Sequence, residues 1–181
     1  MPDEKRAKAN RDVQILLETD HLRVVRRAGW EYVERRNICG IVVIVALTPD
    51  HEVVLVEQFR TPMDANVIEL PAGLADVVGG RSEILEEAAR RELLEETGYR
   101  ADSIVRMFHG PPSAGITSED LTFFLATRVE RVGEGGGDAH ENIRVHTIPL
   151  EEVDSWLEKQ SASGRQVDIK VYAGLYAVRR Y

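Results

Sequence analysis

One cysteine occurs in the 181 residues. Cys39 has no partner within the chain, so an intramolecular disulfide is excluded and a reducing compartment is indicated. It opens an apolar run and reads as a small core residue rather than a nucleophile. Long hydrophobic stretches are also missing. The longest, 41–47, is far too short to span a bilayer. The first residues, MPDEKRAKANRD, are charged and contain no apolar signal core. Together these absences predict a cytoplasmic protein with no membrane partner. Excess positive charge is absent as well: the formal net charge is −8. That disfavours nucleic acid as a partner, because a polyanionic backbone is held by clustered cations. A nucleotide ligand would need local cations or a metal ion inside this acidic field. The five histidines show no H-x3-H or H-E-x-x-H spacing. No phosphate-binding Walker loop, G-x-S-x-G elbow or dinucleotide fingerprint occurs. No internal repeat is visible.

What is present suits one globular domain, with 43% hydrophobic and 30% charged residues. Residues 1–12 read as a mobile polar lead. Segments 13–18, 22–27 and 30–35 read as short amphipathic strands. They form a small N-terminal sheet over 13–36 that packs on the body or on a second subunit. The remainder, 37–181, reads as the main domain. Strands are expected at 40–47, 52–59, 67–70, 103–108, 121–129 and 143–148, the first of them continuous and β-branched as in a strand buried on both faces. Helices are expected at 83–97, 149–159 and 168–180. The glycine-rich stretch 133–138 reads as a flexible hairpin connection. Strands, then a helix, then strands and helices make an α+β architecture.

The helix at 83–97 is the informative one. Ser82 reads as its N-cap and Gly98 as its terminator. Leu85, Ala88, Ala89 and Glu92 share one face, and that face continues into Glu95 and Glu96. Three carboxylates thus lie where an inward apolar stripe should carry on. Like charges at this spacing repel, and partly buried carboxylates need partners. A hard divalent cation with oxygen ligands would relieve both problems. A solvated glutamate-rich face, with Arg90 and Arg91 forming ordinary ion pairs, is the bland alternative.

The run Glu83, Arg91, Glu92, Leu93, Glu95, Glu96, Gly98 and Tyr99 resembles the second half of the Nudix box, E-x7-R-E-U-x-E-E-x-G-U, with U bulky and apolar. The family places five residues between the box glycine and the first glutamate. Here nine separate Gly73, in LPAG, from Glu83, so an enlarged loop is expected over 74–82; the alternative keeps the spacing and puts Val77 in place of the glycine. The resemblance implies a Nudix-type mixed β-sheet sandwiched between helices, and Mg²⁺-dependent cleavage of a pyrophosphate, with Mn²⁺ as the alternative ion. It implies Glu92 and Glu96 as principal metal ligands, Glu95 as a catalytic residue that binds metal or metal-bound water, and the Ala72 carbonyl completing the set. Arg91, also on the catalytic side, would orient the carboxylates by pairing with Glu83 or a neighbour. A surface pair with Glu87 or Glu95 is its bland reading.

Two further segments are similar to the ADP-ribose and nucleoside diphosphate sugar pyrophosphatase branch. In HGPPSAGITSED (109–120), Glu119 falls where that branch carries a general base or further ligand. Asp120 is the neighbouring candidate, and the plain alternative is the start of a strand. In 30–35, the pattern Trp-Glu-x-x-x-Arg implies that Trp30 stacks on a base, Glu31 accepts from its exocyclic amine and Arg35 contacts phosphate or ribose. Core or dimer packing of Trp30 is the competing reading. Arg60 in EQFR matches a phosphate-contacting position, and a surface cation is the alternative. The branch also implies a homodimer. The substrate implied is a nucleoside diphosphate sugar, ADP-ribose first, with GDP-mannose or another diphosphate as rival. A nucleotide-sensing domain without turnover is the rival from another class.

Overall fold

Three short antiparallel strands open the described chain: β1 (Gln14–Glu18), β2 (Leu22–Arg27) and β3 (Trp30–Arg35), in the order β1-β2-β3. The computed structural model describes residues 13–78, 81–137 and 142–180, so the expected polar lead lies outside the described residues. Val25 is fully buried, while the five residues of β1 are all exposed.

The main sheet is built on β4 (Ile38–Leu47). Every residue from Ile41 to Ala46 is buried. This is possible because alternate side chains feed two cores. Val43 and Val45 face one core with Leu55, Ile68 and Leu70. Val42, Ile44 and Ala46 face the other with Phe124 and Ala126. Around β4 lie β5 (Glu52–Arg60), β6 (Ala65–Glu69), β7 (Ala72–Val78), β8 (Arg81–Ser82), β9 (Tyr99–Gly110), β10 (Leu121–Arg131), β11 (Arg144–Pro149) and β12 (Gln166–Val167). The path is β12-β6-β5-β4-β10-β9, with β11 on β5 and β7 on β4. The sheet is mixed: β10 runs parallel to β4, whereas β5 and β7 run antiparallel to it.

Helices cover both faces. Helix α1 (Leu85–Thr97) places Ala88, Ala89 and Leu93 in the second core. Helices α2 (Val153–Ala162) and α3 (Ile169–Val178) close the first with Val153, Leu157, Val171 and Leu175. The architecture is the α+β sandwich expected, with the small N-terminal sheet beside it.

Several local expectations are corrected. Helix α1 begins at Leu85, with Ile84 at the N-cap and no side-chain cap. Ser82 is in a strand instead, and Glu83 is drawn to Arg91. The stretch 74–82 is not an open loop: β7 extends along β4 and folds back on β8 as a hairpin. Pro149 ends a strand, and α2 starts only at Val153. Nor is the glycine-rich stretch a hairpin, since β10 pairs with β4 and β9 while β11 pairs with β5. Its described part is tied to the end of α1: Gly136 N–H donates to Glu96 O at 2.9 Å and Gly137 N–H to Glu95 O at 3.1 Å. Gly98 and Gly135 make that approach possible. Both have positive φ, and a Cβ on Gly135 would lie 2.4 Å from the Thr97 carbonyl carbon. Cys39 is exposed rather than in the core. It sits where the β4–β7 register slips between Ile38 and Gly40, and a bulge turns a side chain out of the alternation.

Away from the cleft described below, an ionic cluster around a buried acid ties β11 and the link between α2 and β12 to β5. Glu57 on β5 is 5% exposed. It accepts from Arg165 Nε at 2.8 Å and from His146 Nε2 at 2.9 Å. Burial raises its pKa, but the bonds from Arg165 and His146 outweigh burial and hold the carboxyl below the usual carboxylate range. A lowered folded-state pKa contributes stability that is complete above the unfolded value of about 4.5. It is lost as pH falls through the folded value. Glu57→Gln is therefore expected to cost about 2 kcal/mol near neutral pH, as for loss of hydrogen bonds to a charged group. The difference from wild type should shrink as pH falls below 4.5. Urea melts of both proteins from neutral to acid pH check this, and a pH-independent difference would refute it.

Candidate active site

Helix α1 and strand β7 form one wall of an open cleft of about 700 Å³. Glu92, Glu95 and Glu96 line it from the helix, and Ala72, Gly73 and Asp76 from the strand. Glu96 is only 4% exposed, and its Oε2 accepts from Ala72 N–H at 3.0 Å. Glu92 lies directly against Gly73. A Cβ on that glycine would fall 2.0 Å from the Glu92 carboxyl carbon, so only glycine leaves room for the acid.

Arg91 organises this wall. Its guanidinium donates to Glu83 through Nε and Nη2, each at 3.0 Å, and to the Leu74 carbonyl at 2.9 Å. Nη1 donates to Glu92 at 2.8 Å and to Glu95 at 3.0 Å. The Arg91 bonds hold Glu83 below the usual carboxylate range, against the opposing push of burial. The Glu83 bonds in turn raise the Arg91 pKa further, although burial opposes this. The planar fork thus ties β7, the start of α1 and two box carboxylates into one unit.

Cations from other elements also line the cleft. Arg60 Nε donates to Glu69 at 2.6 Å. Arg35 Nε donates to Glu119 at 2.5 Å. Lys170, at the start of α3, pairs with Asp168 and lies 4.0 Å from Glu69. Among the described residues, four basic and six acidic side chains line the cleft, an excess of two negative charges. A dication would offset that excess.

The expected site residues divide accordingly. Arg35, Arg60, Ala72, Arg91, Glu92, Glu95, Glu96 and Glu119 meet at the cleft. Trp30 and Glu31 do not line it. Trp30 is 66% exposed, so it is not a core residue of this chain, and Glu31 is paired with Arg26 on the same sheet. Asp120 is bonded to His109 Nδ1 at 2.8 Å, with both side chains exposed. His140 lies outside the described residues. Lys170 and Gly137 were missed. Both come from segments far along the chain that only the fold returns to α1, and Lys170 reads in sequence as the polar side of an amphipathic helix.

A hard divalent cation fits the donors. Glu92, Glu95, Glu96 and Ala72 line the cleft and offer only oxygen as potential donors, from carboxylates and a backbone carbonyl. Among the described residues, no three acidic, histidine or cysteine side chains form a ready-made metal cage. Mg²⁺ does not need one, because it keeps several waters and is held by one or two carboxylates plus substrate phosphates.

A family model described as "NUDIX domain" matches residues 39–172. The chain belongs to the Nudix family. A Bacillus subtilis ADP-ribose pyrophosphatase is 31% identical over 122 residues, 67% of this chain and 64% of that protein. The match therefore spans just under two thirds of that relative. A Yersinia enterocolitica GDP-mannose pyrophosphatase is 29% identical over 157 residues, covering 82% of this chain and 78% of its own length. The Nudix fold is matched by a solved structure, "Crystal structure of ADP compounds hydrolase", with a TM-score of 0.72 over 94% of this chain and 91% of that one, at 20% identity.

Proposed function

We propose that this Nudix protein hydrolyses the pyrophosphate bond of a nucleoside diphosphate sugar, with Mg²⁺ as cofactor. ADP-ribose is the first substrate, giving AMP and ribose 5-phosphate. The observation that carries the reading is the wall where Glu92 and Glu96 are fixed against Gly73 and Ala72, in a cleft that Arg60 and Lys170 also line. The complete box of carboxylates argues against a domain without turnover.

Glu92, Glu96 and the Ala72 carbonyl would hold the cation, with Glu95 beside them. When bound, it neutralises phosphate charge and lowers the pKa of water. Arg91 keeps Glu92 and Glu95 aligned. Arg60, Lys170 and Arg35 hold the diphosphate oxygens. Glu119 accepts the proton of the attacking water as its oxygen bonds to phosphorus, and the bridging oxygen leaves with the other phosphate. Trp30 is the candidate for base stacking, with Glu31 accepting from the exocyclic amine. Exposed Ile15, Leu17 and Trp30 on the N-terminal sheet support a homodimer that covers them and brings this indole to a partner's cleft. No helix among the described residues is long and apolar enough to cross a membrane.

A second reading, GDP-mannose as substrate, is favoured by one observation: the Yersinia relative aligns with more of this chain than the Bacillus relative does. The deciding experiment is a panel of ADP- and GDP-sugars with Mg²⁺ in ¹⁸O-water, on material whose mass is fixed by sedimentation. ADP-ribose should show the highest kcat/KM, with label in one product only. Arg60→Ala or Lys170→Ala should raise KM roughly tenfold, the scale of one lost charge-assisted contact. A sensing domain predicts binding without any product. A fully active monomer would remove the dimer.

A further inference from the structure

The mouth of the cleft joins two segments far apart in sequence. Glu119 follows a Pro- and Gly-containing stretch, and such a stretch alone would leave its side chain to sample many orientations. The fold prevents this. Val33 on β3 donates its N–H to Ile116 O at 2.9 Å and accepts from Ser118 N–H at 3.1 Å. Val33 and Thr117 form a parallel bridge. Within the loop, Ile116 and Thr117 N–H both donate to Ser113 O, and Glu119 N–H donates to Thr117 Oγ1. Two residues after Val33, Arg35 grips the Glu119 carboxylate at 2.5 Å, leaving that side chain 19% exposed. The 113–119 segment therefore continues the N-terminal sheet beyond its outer edge, and the grip of Arg35 fixes the acid at its end.

We propose that Arg35 is a positioning residue for Glu119, and that the N-terminal sheet is the splint that fixes the catalytic loop. The proposal rests on the reading of Glu119 as an acid that works in the cleft. A guanidinium carries five N–H donors, so one bond to Glu119 leaves others for a phosphate. Substrate binding and placement of the acid are then linked through one side chain. Motion at 113–119 must carry β3 with it or break both bonds to Val33.

The test uses Arg35→Gln, Arg35→Lys, Glu119→Gln and the double variant Arg35→Gln/Glu119→Gln in the full chain. Hydrogen exchange without substrate reads the splint directly. Arg35→Gln should speed exchange in the 113–119 peptide by roughly tenfold, with the core peptide of β4 unchanged. Arg35→Lys, which keeps the charge but not the fork, should fall between. Kinetics then read the coupling. Arg35→Gln should raise KM and lower kcat by roughly tenfold or more, and in the Glu119→Gln background the kcat effect should shrink to about twofold or less while the KM effect persists. Unchanged exchange at 113–119, or kcat losses that simply multiply, would overturn the proposal. If no diphosphate is turned over, the exchange arm still decides whether Arg35 holds the loop, and only the assigned reaction fails.

Discussion

Glu96→Gln and Glu92→Gln are each expected to lower kcat on the order of 10³-fold, while Glu87→Gln stays within about twofold of wild type. All three remove one carboxylate charge from the same helix, so helix propensity and net charge do not separate them. Position does. Glu96 is buried with its Oε2 on the Ala72 N–H, and Glu92 is wedged against Gly73. Glu87 is exposed in the first turn of α1, away from the cleft. Glutamine keeps the shape and still accepts from Ala72 N–H, so the fold should survive. What it loses is the negative charge that a hard cation requires. Thermal melts within a few degrees of wild type should accompany the lost turnover. Mg²⁺ titration followed by calorimetry should show binding to wild type weakened in both cleft variants. Near-normal kcat in either would remove the metal assignment.

Gly73→Ala tests the same wall without touching a charge. The new methyl group would fall on the Glu92 carboxyl, at 2.0 to 2.3 Å from its three terminal atoms. Those atoms are the far end of a flexible side chain, so the acid swings away and the stability cost is small. The catalytic cost is not small. A displacement of about 1 Å in a reacting constellation can cost on the order of 10²-fold, and that is the loss in kcat expected here. The Glu92 shift also strains its bond to Arg91, which holds Glu83, Leu74 and Glu95 as well. A double variant with Glu92→Gln should therefore be little worse than Glu92→Gln alone, because both act through one carboxylate. Wild-type kcat in Gly73→Ala would show that Glu92 does not need its observed position.

Sequence alone determined the chemistry of this protein. The spacing of Arg91, Glu92, Glu95 and Glu96 on one helix face is set by helical periodicity, which local sequence carries. The continuous run 41–46 announced a strand buried on both faces, because alternation vanishes only when both sides are covered. Where a boundary depended on a distant partner, the sequence was silent. Ser82 has the chemistry of a cap, but pairing of 81–82 with β7 and the pull of Arg91 on Glu83 decided the start of α1. Strand β12 is two residues long and exists only because β6 offers an edge to it. Cys39 belongs by type in a core, but a register slip against β7 turned it outward.

The cleft divides in the same way. Its acidic wall is local, built from residues of one helix and the strand it packs on. Its cationic side gathers Arg35, Arg60 and Lys170 from three separate segments, and no spacing rule links them. Only chain reversal around β4 brings them to the same cleft as Glu92 and Glu96, and the edge of β3 holds the segment that carries Glu119 among them. The sequence determined which groups can do the work. Long-range strand pairing decided which of them meet, because contacts across many tens of residues are fixed by the packing of two cores and not by any local preference.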